Sequence, residues 1–481
     1  MLKKYYVTTP IYYVNDVPHI GHTCTTVAAD ILARYHRLLG DDTFFLTGTD
    51  EHGAKVAEAA TKAGMSPKDY CDFIAPKFES NWLKINLSFN AFIRTTNPEH
   101  IKIVQELTQK TYDKGDIYKG VYEGLYCVGC EKFVTESELV DGKCPLHNRV
   151  PEKLKEENYF FKLSKYVDTL IRAIEDPNDK NHFEINPISK RNEILSKLKL
   201  GDIPDTSISR QAKVVPWGIP IPWDNSQTIY VWFDALPNYY TATKIFDRPG
   251  FFENMHHTIA KDIAWFHAVL WTAMLISLEL PLPKEVFIHS YFMVDGQKMS
   301  KSLGNVITPQ DLIDRYGVDG ARFLIAAYFP RDDDSDVGFS RFTQKYNSDL
   351  ANNLGNLFSR FTRLAEQVKL KNDEVVSTFK DVIALESSQI FKTAIETLHF
   401  SQAVEDIAAK VTVVNKELQE AKPWEIEDAE KRQTYLKTLI PKILEIAILI
   451  SPIIPGTSEK LVTGLSGEIK FIGALFPRVS S

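Results

Sequence analysis

Along the first ~115 residues, short apolar and β-branched runs alternate with longer stretches whose apolar positions recur at helical spacing. Tyr5-Tyr6-Val7-Thr8-Thr9-Pro10 reads as a strand. Val27, Ile31, Tyr35 and Leu38 then form a helical stripe that stops at Gly40. Thr43-Phe44-Phe45-Leu46-Thr47 is a second strand-like run, followed by helical runs over 54–62 and 67–82. This alternation predicts half of a parallel α/β sheet. From about Gly115 to Pro222 the segments shorten, charges multiply and prolines cluster, as in an insertion. The α/β pattern resumes with the strand-like run Ile229-Tyr230-Val231-Trp232-Phe233, an apolar helix after Asp262, and the strand-like run from Val286 to Tyr291. After Asp332 strand signals nearly vanish. Leu350, Leu354, Leu357 and Phe361 repeat at helical spacing, as do Ala403, Ile407, Val411 and Val414, and later Leu439, Ile443, Ile446 and Ile450.

The expected fold is therefore α/β: a doubly wound parallel, Rossmann-type domain split by an insertion and followed by an all-α helical bundle. The expected boundaries are 1–115 and 223–331 for the two halves of the α/β domain, 116–222 for the insertion and 332–481 for the bundle. Composition changes this little: 44% hydrophobic and 25% charged residues suffice for real cores. A net charge of −7 excludes a generally basic nucleic-acid coat but not local basic patches, such as Lys190, Arg191, Lys197 and Lys199, or Arg360 with Arg363. Met1-Leu2-Lys3-Lys4 leads straight into the first strand, so no signal or transit peptide is expected and the location is read as cytoplasmic. The longest apolar stretch, Ile263 to Leu278, contains His267 and falls short of a spanning helix, so no membrane is expected as a partner.

Two motifs carry chemistry. His19-Ile20-Gly21-His22 opens the first helix, where free N–H groups and the dipole attract phosphate. Gly21 lets the backbone approach a nucleotide, and the two imidazoles offer donors to phosphate oxygens. Far downstream, Lys298-Met299-Ser300-Lys301-Ser302 places two ammonium groups beside a Gly-Gln turn, where they suit a leaving pyrophosphate. Either alone reads equally well as a cap or a solvated loop; the ordered pair points to reaction at an ATP α-phosphate.

A third pattern concerns metal. Cys127-Val128-Gly129-Cys130 and Cys144-Pro145-Leu146-His147 form two knuckles, each tight enough to aim two ligands at one ion. Four protein ligands leave no open position, so one structural Zn²⁺ is expected on Cys127, Cys130, Cys144 and His147. Cys24 and Cys71 lie outside the cluster and read as packed thiols.

The paired motifs resemble those of class I aminoacyl-tRNA synthetases. Within that family, the methionyl members are similar in Pro10-Ile11-Tyr12-Tyr13-Val14-Asn15, Gly48-Thr49-Asp50-Glu51-His52-Gly53, the run from Val231 to Tyr239, and Phe287-Ile288-His289-Ser290-Tyr291. The likeness spans nearly the whole chain. One departure is Ala260, where those members usually carry glycine. The resemblance implies activation of L-methionine with ATP and Mg²⁺, then transfer to the 3′ end of tRNA(Met). It implies His19, Gly21, His22, Lys298, Met299, Ser300 and Lys301 at ATP, with His19, His22, Lys298 and Lys301 catalytic. It implies Ile11, Tyr13, Trp232, Ala235, Leu236, Tyr239, Ile288 and His289 around the methionine side chain and Asp50 at its amino group. Sulfur packing on aromatic rings agrees with such a pocket. Anticodon contact falls to Asn356, Arg360 and Trp424. The alternatives are a class I synthetase for another apolar or thiol amino acid, or a non-catalytic tRNA-binding paralogue. A monomer without an appended module is expected, with any editing in the synthetic site.

Overall fold

The computed structural model describes residues 2–15, 17–129, 132–134, 136–146, 148–299, 304–373 and 377–480. Cys130, His147, Ser300, Lys301 and Ser302 lie outside the described residues.

Six parallel strands make the central sheet: β1 (Lys4–Tyr13), β2 (Asp42–Asp50), β3 (Ala91–Arg94), β4 (Glu184–Asn186), β5 (Met255–Ala260) and β6 (Glu285–His289), in the order β3-β2-β1-β5-β6-β4. The chain leaves β1 toward β2 and later returns on its other side at β5, so strand order reverses between them. That reversal opens a crevice at the carboxyl ends of β1 and β5. Side chains alternate across the sheet. Tyr5 and Val7 face one apolar core while Tyr6 faces the other, and Phe287 and Ile288 divide the same way. Burial on both faces explains why the strands read as near-continuous apolar runs.

Three features differ from expectation. The edge strand β4 comes from within the stretch expected to be an insertion, and the helices Val167–Glu175 and Ile188–Lys199 share the second core. The inserted body is thus smaller: an antiparallel sheet of Lys132–Val134, Ile117–Cys127, Glu152–Phe161 and Thr206–Ser207. Second, the run read as a strand at Ile229–Phe233 divides between a strand, Asp224–Ile229, and a short helix, Val231–Ala235. Five apolar residues look alike in a buried strand and a buried helix. Third, Ala260 has φ −86° and ψ 158°, ordinary extended backbone that makes no demand for glycine.

Helix α1 (Ile20–Leu38) follows β1 and packs on the sheet. Helix α2 (Pro309–Ala327) lies against it. Beyond residue 338 the described elements are helices, among them α3 (Gly355–Gln367), α4 (Phe400–Ala421) and α5 (Ala429–Leu449), plus a two-stranded ladder. No helix among the described residues is long and apolar enough to cross a membrane.

One buried ion pair ties these parts together. Arg322 of α2 donates to Asp30 Oδ2 of α1 at 2.7 Å, and to the carbonyls of Ile85, Asn86, Pro452 and Ile453. Both side chains are fully buried. Burial would raise the Asp30 carboxyl, but the Arg322 and Arg34 guanidiniums and the Ser88 hydroxyl hold it below its ordinary value. Arg322→Met should cost about 3–5 kcal/mol, because Asp30 keeps its burial and loses its main partner. Denaturant unfolding at neutral pH checks this. Because the folded carboxyl titrates low, the penalty should persist above the unfolded value of roughly 4 and shrink as pH falls through the folded one.

Candidate functional site

The crevice is built first from α1. His19 caps the helix in extended backbone (φ −120°, ψ 173°), and its Nδ1 accepts the Gly21 N–H at 3.1 Å. His22 Nδ1 in turn accepts the His19 N–H at 3.4 Å, and the two rings stack with centroids 3.9 Å apart. A neutral imidazole that accepts through Nδ1 carries its proton on Nε2, so each ring offers an N–H to an anion. Burial, then the neighbouring His19, pushes His22 well below its ordinary pKa and keeps it neutral. The first helical amides are not free as expected. Ile20 N–H donates to the Ile307 carbonyl at 2.9 Å and Gly21 N–H to the His19 ring, so a phosphate here meets the imidazoles and the helix dipole first.

The second motif reaches the same place. A Cβ on Gly21 would lie 2.9 Å from His19 Cε1 and 4.0 Å from Met299 Cε, so a larger residue would push the His19 ring aside, and Met299 sits over Gly21. Lys298 is delivered by a hairpin, Phe292–Val294 against Gln297–Lys298, whose turn residues Asp295 (φ 51°) and Gly296 (φ 72°) are both left-handed. Its exposed Nζ lies 4.7 Å from the Tyr291 ring centroid. Lys261, unassigned by the sequence reading, lies 4.5 Å from the same ring and pairs with Asp334 at 2.6 Å. Two ammonium groups thus flank one aromatic ring at the mouth of the crevice.

Ile11 and Tyr13, at the end of β1, and Trp232 of the Val231–Ala235 helix are only partly buried at the rim of the second core. Leu236, Tyr239 and Ile288 lie within that core, and Ala235 is buried beside them in sequence. The register sets Tyr13 opposite Asp50, which is 4% exposed. Trp232 stacks on Phe266 at 4.0 Å and 2°, and Tyr239 Oη bonds His267 Nε2 at 2.7 Å. Burial lowers His267 to about 4, so it is neutral at physiological pH. Phe266 and His267 were not found from sequence; their only signal was a histidine interrupting an apolar helix. His289 is hydrogen-bonded on both ring nitrogens. Strand alternation turns it from Ile288 toward α1, where Nε2 meets Thr25 Oγ1 at 2.8 Å and Nδ1 meets the Ser290 carbonyl at 2.7 Å.

Two further groups lie apart. On α3, Asn356 is exposed and Arg360 sits with its guanidinium 5.3 Å from the Trp424 ring. Trp424 is 40% exposed in a turn that starts at Lys422, held left-handed at φ 44° where α4 ends. Beside the inserted sheet, Cys127 and Cys144 are buried and packed together with Val134. Among the described residues no group of three or more His, Cys, Asp or Glu side chains is placed to hold a metal. Two clustered thiols fit half of a tetrahedral thiolate site, whose remaining expected ligands lie outside the described residues.

Comparison with known proteins agrees with this geometry. The family model for class I tRNA synthetases (M) matches residues 5–150 and 137–362. The methionine--tRNA ligase of Clostridium acetobutylicum is 42% identical over 97% of this chain and 74% of its own length, and that of Thermotoga maritima is 40% identical over 97% and 76%. The structure of Mycobacterium tuberculosis methionyl-tRNA synthetase in complex with methionyl-adenylate superposes with a TM-score of 0.89, at 32% identity, over 99% of this chain and 100% of that one. The chain belongs to the methionine-type class I tRNA synthetases.

Proposed function

We propose that this chain activates L-methionine with ATP to methionyl-adenylate and pyrophosphate, then transfers methionine to the 3′ end of tRNA(Met). The observation that carries the reading is the approach of Met299 to Gly21, which joins the two motifs at one helix terminus. The methionine carboxylate attacks the α-phosphate and the bond to pyrophosphate breaks. A carboxylate is already a nucleophile, so positioning and charge stabilisation do the catalysis. The Nε2–H groups of His19 and His22 donate to phosphate oxygens, and Lys298 with Lys301 meets the charge growing on pyrophosphate. Mg²⁺, when bound with ATP, offsets phosphate charge. Gly21, Met299 and Ser300 shape the nucleotide's bed. Asp50 takes the α-amino group; Ile11, Tyr13, Trp232, Ala235, Leu236 and Tyr239, backed by Ile288, surround the thioether. His289, tied to Thr25 of α1 through Nε2, joins them at the side chain.

Residues 1–115 and 223–331, joined by the edge strand Glu184–Asn186 and its two flanking helices, are proposed as the catalytic part, the smaller inserted sheet within 116–222 as the connective segment and 332–481 as the anticodon-binding part. Asn356, Arg360 and Trp424 would read unstacked bases. Arg360 lying over Trp424 supports this, because both are then presented together. One Zn²⁺ on Cys127, Cys130, Cys144 and His147 would hold the inserted sheet.

ATP–pyrophosphate exchange across a panel of amino acids should respond to methionine and weakly to homocysteine, since one methyl-sized group is worth only ~1–3 kcal/mol. Exchange driven best by another amino acid overturns the assignment, and no exchange at all favours the paralogue. In the same assay, Lys298→Ala should lower the rate at saturation by ~10²–10³ while the KM for ATP changes little. Trp424→Ala should leave exchange intact and raise the KM for tRNA by about 5- to 150-fold, in keeping with ~1–3 kcal/mol per stacked base. Elemental analysis should find one zinc per chain, and Cys144→Ala should lose it.

A further inference from the structure

His52 and Asp234 make a buried contact that the reaction above does not use. Asp234, 1% exposed, sits on the Val231–Ala235 helix between Trp232 and Ala235. Its Oδ2 accepts from His52 Nδ1 at 2.7 Å and its Oδ1 from His100 Nε2 at 2.9 Å. An ionised carboxylate only accepts, so both nitrogens carry hydrogen. His100 is completed by Thr241 Oγ1, 2.8 Å from its Nδ1. His52 has no second hydrogen-bond partner for its ring among the described residues. In the neutral ring its Nε2 is therefore a lone pair on the far side from Asp234.

The ring is 5% exposed and cannot turn freely. Trp217 lies 5.4 Å away, its indole N–H donating to the Glu51 carbonyl at 2.6 Å and its carbonyl accepting the Gly53 N–H at 3.1 Å. The Glu51 carboxylate is occupied by Arg94 and Thr49. So the backbone on both sides of His52 is pinned, two residues beyond Asp50. An imidazole nitrogen fixed on this turn, two residues along the chain from Asp50, suits a cation with several N–H donors.

We infer that His52 Nε2 is a second acceptor for the α-ammonium of the amino acid, beside Asp50, held in that tautomer by Asp234. The inference rests on Asp50 as the partner of the amino group. It makes the pocket read a primary ammonium by two acceptors on one rigid turn, and it links that turn to the helix bearing Trp232.

The test compares two inhibitors of methionine-dependent exchange: methioninol, which keeps the ammonium, and 4-(methylthio)butan-1-ol, which lacks it. Loosening the pocket weakens both alike; losing an ammonium contact weakens methioninol alone, and so lowers the ratio of the amine-free alcohol's inhibition constant to that of methioninol. His52→Asn keeps a donor near Asp234 but removes the outer acceptor, and should lower the ratio about 10- to 100-fold, as for a hydrogen bond to a charged group. His52→Gln, whose amide oxygen reaches the Nε2 position, should restore most of it. A lowered ratio with Asn and rescue with Gln support the inference. An unchanged ratio in His52→Asn, or a loss that Gln does not rescue, overturns it. Asp50→Asn is measured alongside: if it alone lowers the ratio, His52 is excluded while Asp50 stands, and if neither lowers it, both assignments fall.

Discussion

Arg322 and Asp30 touch no substrate, yet the geometry of the crevice depends on them. One guanidinium satisfies five oxygens drawn from α1, the turn at Ile85–Asn86 and the turn at Pro452–Ile453. Only a planar fork with five N–H groups can do this; a lysine would leave buried carbonyls unpaired. The pair fixes the axis of α1, and the axis fixes where His19 and His22 present their Nε2–H groups. It also seats the C-terminal helices on the same helix, so both ends of the molecule share one internal reference. Such a pair contributes geometry more than net stability, because burying the charges cancels much of their attraction.

From that reference the rest follows in order. The strand reversal between β1 and β5 opens the crevice, α1 closes one side, and the Asp295–Gly296 turn brings Lys298 and Met299 to the mouth. Across the sheet, a second core supports Trp232, Phe266, Tyr239 and His267 as a half-buried aromatic wall. Its buried histidine stays neutral, so the wall can meet an apolar thioether without a competing charge. The family likeness and this wall point to the same amino acid from different directions.

Much of this was legible in the sequence, for physical reasons. Strands buried on both faces leave continuous apolar runs, and Val27, Ile31 and Tyr35 mark α1 by their helical spacing, although the helix is buried nearly all round, with Thr23, Thr25, Thr26 and Asp30 inside as well. His19 and Lys298 stood out because each sits in a motif whose residue types have few structural uses. Trp232 was expected in a strand and lies in a short helix, since a short apolar run carries no period. His267 was invisible as a site residue, because an isolated histidine in an apolar helix looks like core until Tyr239 is seen beside it. His289 was carried over with Ile288 from the family resemblance; its bond to Thr25 of α1 follows from strand alternation and has no signal of its own in the sequence. Arg322 and Asp234 gave no local signal at all; their partners are supplied by other parts of the fold.

The central claim is that α1, the Met299 segment and the aromatic wall form one continuous site. The direct measurement is a crystal structure with a nonhydrolysable methionyl-adenylate analogue. The phosphate mimic should lie within hydrogen-bonding distance of the His19 and His22 rings, with the thioether against Trp232 and Tyr239. An analogue bound elsewhere, or with its phosphate mimic turned away from the start of α1, would contradict the account.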